Sequence, residues 1–167
     1  MTDPITDPIT DPITDPITMR PIGRVVGGRS EAIDDQWDDV AARIELDPDI
    51  LEPNATDGLA DFSHIEVVFC FDRVDEADVC RGARHPRGRT DWPSVGILAQ
   101  RAKDRPNRIG VTVCRVTAVG PLTIDVVGLD AIDGTPVLDV KPYLSEFGPR
   151  GDIRQPAWST ELMAHYW

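Results

Sequence analysis

The chain has 167 residues, 41% hydrophobic and 28% charged, enough for one ordinary core and too short for two comfortable domains. No apolar run approaches the ~20 residues that cross a bilayer and no stretch fits a secretory signal; three cysteines without CxxC spacing, Cys70, Cys80 and Cys114, argue against a disulfide framework or zinc ribbon and for buried small hydrophobes in a reducing cytoplasm. The net charge of −12 speaks against a nucleic-acid partner, yet from Arg81 to Arg108 eight basic residues (Arg81, Arg84, Arg87, Arg89, Arg101, Lys103, Arg105, Arg108) face only Asp91 and Asp104.

Residues 2–17 are four copies of TDPI. A proline in every period of four cannot make a helix and leaves no apolar stripe to bury, so residues 1–18 read as a flexible tail. Met19 opens MRPIGRVV, which reads as the start of a domain over 19–167, with the repeat as an upstream extension or mis-called start. Without its four aspartates the net charge is −8 rather than −12.

Pro21 to Val26 reads as an opening strand ended by Gly27-Gly28. The next segment fits two periods. Ile33, Trp37, Val40, Ala41 and Ile44 have helical spacing behind Ser30, whereas Val40, Ala42, Ile44 and Leu46 alternate as one face of a strand; a loop through DDQWDD and a strand Val40–Leu46 is favoured. Pro53 to Ala60 is expected as a short helix and His64 to Phe71 as a core strand. Asp72 to Gly88 is turn-rich. Gly96–Ala99, Ile109–Val119, Leu122–Leu129 and Pro136–Val140 read as further strands, and Trp158–Trp167 as a short closing helix. Short strands at this spacing predict a mainly β fold, a small single-sheeted barrel with a few short helices.

The common enzyme signatures, GxSxG, HExxH, a P-loop and GxGxxG, are absent from the sequence. His64 reads as a core histidine satisfied by a backbone carbonyl, and His85 and His165 lack ligand spacing, so no metal site is expected. Between Gln100 and Arg108, Arg101 and Arg105 offer forked guanidinium groups for a carboxylate or phosphate. Pro106 and Asn107 would fix the turn, and Gly110 would let a ligand or another backbone approach. On composition alone, a solvated cationic turn is the favoured reading. Asp133-Gly134 is a strong turn signal, and Asp139 and Lys141 fall on one face of the strand that follows, where both would reach one cavity or form a plain surface pair.

Three blocks, FSHIEVVFCF (Phe62 to Phe71), GILAQRAKDRPNRIGVTV (Gly96 to Val113) and IDGTPVLDVKPY (Ile132 to Tyr143), closely resemble the main blocks of the TsaA-like family, also called TrmO, in the same order. The resemblance runs from Pro21 to about Leu144. RHPRGR, Arg84 to Arg89, resembles the family's VRPPR block less closely. The resemblance implies an S-adenosylmethionine-dependent methyltransferase on a small β-barrel, usually a homodimer, acting on N6 of threonylcarbamoyladenosine beside the anticodon of tRNA. By motif it implies that Arg101, Asn107, Ile109 and Gly110, the stretch Leu129, Asp130, Ile132, Asp133, Gly134 and Thr135, and the Asp72-Arg73 pair bind the cofactor. Arg84, Arg87, Arg105, Arg108, Lys141 and Tyr143 are assigned to the substrate, and Asp139 or Asp133 to a base.

Three departures accompany the resemblance. GGRSEAIDD replaces the family's Pro-Arg-Gln block after the first strand, Asp72-Arg73 replace a His-Gln pair, and RPNPIG has become RPNRIG. The chain also lacks the extra C-terminal domain of the longer bacterial members. Two rivals stay open: the same chemistry on a small metabolite or another RNA, and a non-catalytic module that senses the cofactor.

Overall fold

The computed structural model describes residues 16–167; the TDPI tail expected over 1–18 lies, for residues 1–15, outside them. Six strands close a barrel in the order β1-β2-β7-β6-β3-β8: β1 (Gly23–Val26), β2 (Ala41–Leu46), β3 (His64–Cys70), β6 (Ile109–Gly120), β7 (Thr123–Val127) and β8 (Pro136–Pro142). All neighbours are antiparallel. The remaining strands, β4 (Ala83–Arg84) and β5 (Val95–Gly96), form a separate two-stranded ribbon, and one helix, α1 (Ala157–Met163), follows the barrel.

Alternation builds the wall. Ala42, Ile44 and Leu46 of β2, Ile65, Val67 and Phe69 of β3, and Ile124 and Val126 of β7 point inward and form the core with Val25, Cys114, Leu129 and Val137. Outward residues of β1, β2 and β7 carry charge: Arg24 lies opposite Glu45 and Arg43 opposite Asp125, each pair bonded across the strands. Inside, Phe69 lies opposite Gly110, and a Cβ on Gly110 would fall 2.3 Å from the Phe69 ring. The glycine thus makes room for an aromatic ring of the core, where its position in the sequence had suggested the approach of a ligand or another backbone.

Several local expectations are corrected. Over Pro53–Ala60 the backbone bonds run from Ala55, Asp57 and Leu59 to residues three back, and Gly58 is left-handed at φ 80. These tight turns replace the expected helix because the left-handed Gly58 ends any helical run, and the buried Thr56 hydroxyl donates to the Gly120 carbonyl at 3.0 Å. Gly96–Ala99 is not a strand: Val95–Gly96 pair with the ribbon, and Ile97–Ala99 turn as 3-10 with Leu98 left in solvent. His64 lies on the outer face, its Nδ1 2.9 Å from the Ser63 hydroxyl, whereas His85 makes the carbonyl contact, to Trp92 at 2.7 Å. Of the cysteines only Cys114 is buried, and burial pushes its thiol up to about 12. Among the described residues no helix is long and apolar enough to cross a membrane.

Gly110→Ala is expected to lower stability by about 1–3 kcal/mol, because the stacked ring cannot retreat within a packed core. Gly82→Ala, where nothing lies within 4 Å of the added atom, should leave the urea midpoint near the parent value. Equal midpoints for the two variants would contradict this packing.

Candidate functional site

Because the six strands alternate in direction, one end of the barrel collects the C-terminal ends of β1, β3 and β7 and the N-terminal ends of β2, β6 and β8. All three loops singled out in the sequence lie at this end. The β7–β8 connection, residues 128–135, crosses the mouth between strands that are not neighbours, with Leu129 and Ala131 plugging the core beneath it. It is tied down on both sides. Gly27 N–H donates to Asp133 Oδ1 at 2.8 Å, Gly134 N–H to the Val25 carbonyl at 2.8 Å, and Arg73 Nη2 to the Asp133 carbonyl at 2.8 Å.

β6 supplies an unfilled edge. Its first half, Ile109 to Arg115, pairs with β3, and only Arg115 to Gly120 pair with β7. At Val111 the vacant side is taken by Arg101, whose Nη2 donates to the carbonyl. Next to it the Thr112 hydroxyl donates to the carboxylate of Asp130, and so does the hydroxyl of Tyr166. Burial first, then the Asp130 charge, pushes the Tyr166 phenol well above its ordinary range, so it stays a hydroxyl donor.

The arginines divide into two kinds. Arg84 is paired with Asp104 and Arg87 with Asp35, as Arg24, Arg43, Arg81 and Arg89 are with carboxylates elsewhere. Arg73, Arg101, Arg105 and Arg108 meet no carboxylate within 4.0 Å among the described residues. They donate instead to the backbone carbonyls of Asp133, Val111, Gln100 and Val74. A carbonyl orients a guanidinium without cancelling its charge, so with Arg29, held by the Asp35 and Gln36 carbonyls, this rim holds five oriented cations that meet no carboxylate among the described residues.

The tRNA-methyltransferase O N-terminal domain family model matches residues 34–148. The chain belongs to this family. It is 34% identical over 99 residues to the human tRNA (adenine(37)-N6)-methyltransferase, covering 59% of this chain and 22% of that protein. To a probable S-adenosyl-L-methionine-binding protein of Methanothermobacter thermautotrophicus it is 34% identical over 137 residues, covering 80% and 94%. A crystal structure of TrmO from Pseudomonas aeruginosa superposes with a TM-score of 0.67 at 27% identity, over 84% of this chain and 62% of that one. The chain thus spans about a fifth of the mammalian relatives it matches and most of the archaeal one.

Within this TrmO-type barrel the sequence-predicted residues separate. Asp72, Arg73, Arg101, Asn107, Asp130, Ile132, Asp133 and Gly134 lie at the mouth, exposed or half-buried, while Leu129, Gly110 and Thr135 are buried beneath it. Ile109 is on the outer face beside Cys70. Asp139 and Lys141 do share a face, but it is the outer wall, where they pair with each other opposite Val68 and Glu66. Tyr143 sits at the far end of the barrel, its N–H on the His64 carbonyl. A concavity of about 330 Å³ lined by Ala60–Ser63 and Val116–Val119 is also away from the mouth.

Two residues at the mouth carried no sequence signal. Gln100 is buried, and its amide donates to the carbonyls of Arg84 at 3.2 Å and Val95 at 2.9 Å, which clamps the β4–β5 ribbon to the cationic loop. Tyr166 arrives from outside the matched region, held by Gln36 and Trp37 N–H donating to the His165 and Tyr166 carbonyls at 2.9 and 2.8 Å.

The Arg84–Asp104 pair pins the same loop, and the guanidinium hydrogen bond holds the Asp104 carboxyl below the usual range. A depressed carboxyl contributes stability above its unfolded value near ~3.9 and loses it as pH falls through the folded value. Asp104→Asn should therefore shift the urea midpoint at pH 7 and shift it less at pH 3; equal shifts at both would remove the pair from the account.

Proposed function

We propose that the mouth binds S-adenosylmethionine and that the domain N6-methylates threonylcarbamoyladenosine in tRNA. The observation that carries this reading is the set of five guanidinium groups held by carbonyls, an arrangement that leaves their charge for an anionic ligand. The donor set fits the cofactor. Arg101 would take its carboxylate, Arg73 and the Asp133-Gly134 turn would wall it, and half-buried Ile132 would offer apolar contact. When bound, the cofactor supplies an electrophilic methyl on sulfur. The protein's part is alignment and exclusion of water, which needs no covalent residue.

Arg105 and Arg108 fit phosphate better than Arg84 and Arg87, whose charge is spent within the chain. This local positive field within an acidic protein would position an RNA backbone without reading its sequence. A tRNA acceptor implies a cytoplasmic location. A homodimer belongs to the same reading, and Val111 and Val113 on the outer face of β6 are apolar surface available to it.

Arg101→Ala is expected to weaken cofactor binding roughly 10- to 100-fold, the loss of one charged hydrogen bond of ~1.5–3 kcal/mol. Arg24→Ala should leave binding unchanged; calorimetry reads both, and unchanged affinity in Arg101→Ala would remove the assignment. Arg105→Ala and Arg108→Ala should lower tRNA affinity and flatten its dependence on salt. Mass spectrometry of tRNA nucleosides from cells with and without the gene tests the acceptor itself: loss of methylated threonylcarbamoyladenosine supports the reading, whereas an unchanged profile points to another acceptor or a sensor.

A further inference from the structure

Asp130 is the half-buried carboxylate at the mouth that meets no cation within 4.0 Å among the described residues. Both of its oxygens are engaged by neutral hydroxyls instead, Oδ1 by Thr112 and Oδ2 by Tyr166. The two donors approach from different parts of the chain, one from the inner face of β6 and one from the segment after α1. That segment is anchored with care: Trp92 Nε1 donates to Glu161 Oε2 at 2.8 Å, Trp158 packs 6.5 Å from Trp92, and the backbone of Gln36 and Trp37 bonds to His165 and Tyr166. A carboxylate with one donor on each oxygen is fixed in orientation, and each oxygen keeps a lone pair.

The other carboxylates considered for a base do not offer this. Asp133 Oδ1 is occupied in tying the turn to Gly27, and Asp139 is on the outer wall with Lys141. We propose that Asp130 takes the proton of the methyl-accepting nitrogen, and that Tyr166 and Thr112 are the positioning residues that aim it. This rests on the methyl-transfer reading above. The accepting nitrogen lies beside a carbonyl and is a poor nucleophile until its proton leaves. As the nitrogen lone pair forms the bond to the methyl carbon, the carbon–sulfur bond breaks and its electron pair stays on sulfur, which goes from sulfonium to thioether. The electrons of the N–H bond stay on nitrogen, and the proton passes to Asp130 and then to solvent.

The test compares the full chain with Asp130→Asn, Tyr166→Phe and the double variant. It measures single-turnover transfer of labelled methyl from saturating cofactor to tRNA from cells lacking the modification, and cofactor Kd by calorimetry. Asp130→Asn should lose roughly 100-fold or more in rate at saturating cofactor, a loss larger than any change in Kd. Tyr166→Phe should lose about tenfold, and the double variant should be no slower than Asp130→Asn, because Tyr166 acts through Asp130. An Asp130→Asn rate within twofold of the parent, a loss confined to Kd, or independent losses in the double variant would each overturn the proposal. Should Asp130→Asn fail to fold, an undiminished rate in Tyr166→Phe overturns it. No transfer by the unsubstituted chain would sink the tRNA reading and this proposal together; transfer by the parent with a fast Asp130→Asn would sink this proposal alone.

Discussion

A strand of twelve residues, β6, is shared between two partners, and the site at the mouth follows from that division. Its lower half is zipped to β7 and its upper half to β3 alone, with a register shift between Val116 and Ala118 where it passes from one duty to the other. Buried backbone carbonyls cannot be left without donors. On the upper edge the Val111 carbonyl is therefore met by a guanidinium, while the inward hydroxyl of Thr112 next to it reaches a carboxylate at the mouth. Pairing β6 with β7 along its full length would satisfy the Val111 carbonyl with backbone and leave nothing to bring Arg101 there.

The contrast between an acidic protein and a basic stretch resolves at the level of individual partners. Carboxylates are spent on arginines of the wall and of the ribbon, as in Arg43–Asp125 and Arg84–Asp104, and are withheld from those of the mouth. Exposed pairs such as Arg43–Asp125 contribute little to stability, but each pair determines where positive potential survives. Local field thus depends on which cations are neutralised rather than on how many there are.

Strands with alternating residues were legible in the sequence: Ala42, Ile44 and Leu46 turn inward as their spacing predicts, and the three recognised blocks meet at one end of the barrel. Two-residue strands such as Ala83–Arg84 are too short to carry a period, so the ribbon was not legible. Spacing also placed Asp139 beside Lys141 correctly, but it could not tell a wall from a cavity. Nor does sequence record whether an arginine meets a carbonyl or a carboxylate. Tyr166 reaches Asp130 across 36 residues of chain through tertiary contacts alone.

Arg108 has a φ of 53, a left-handed conformation that side chains rarely adopt, while its carbonyl accepts from Phe71 N–H at 2.8 Å and its Nη1 reaches the Val74 carbonyl. Proline, which the resembling family carries here, has φ locked near −65° and cannot take this shape. The exchange is therefore not one side chain for another on a common frame. A chain with proline at this position must route its backbone differently, so a ligand contoured to the rim of this barrel would meet an altered outline there.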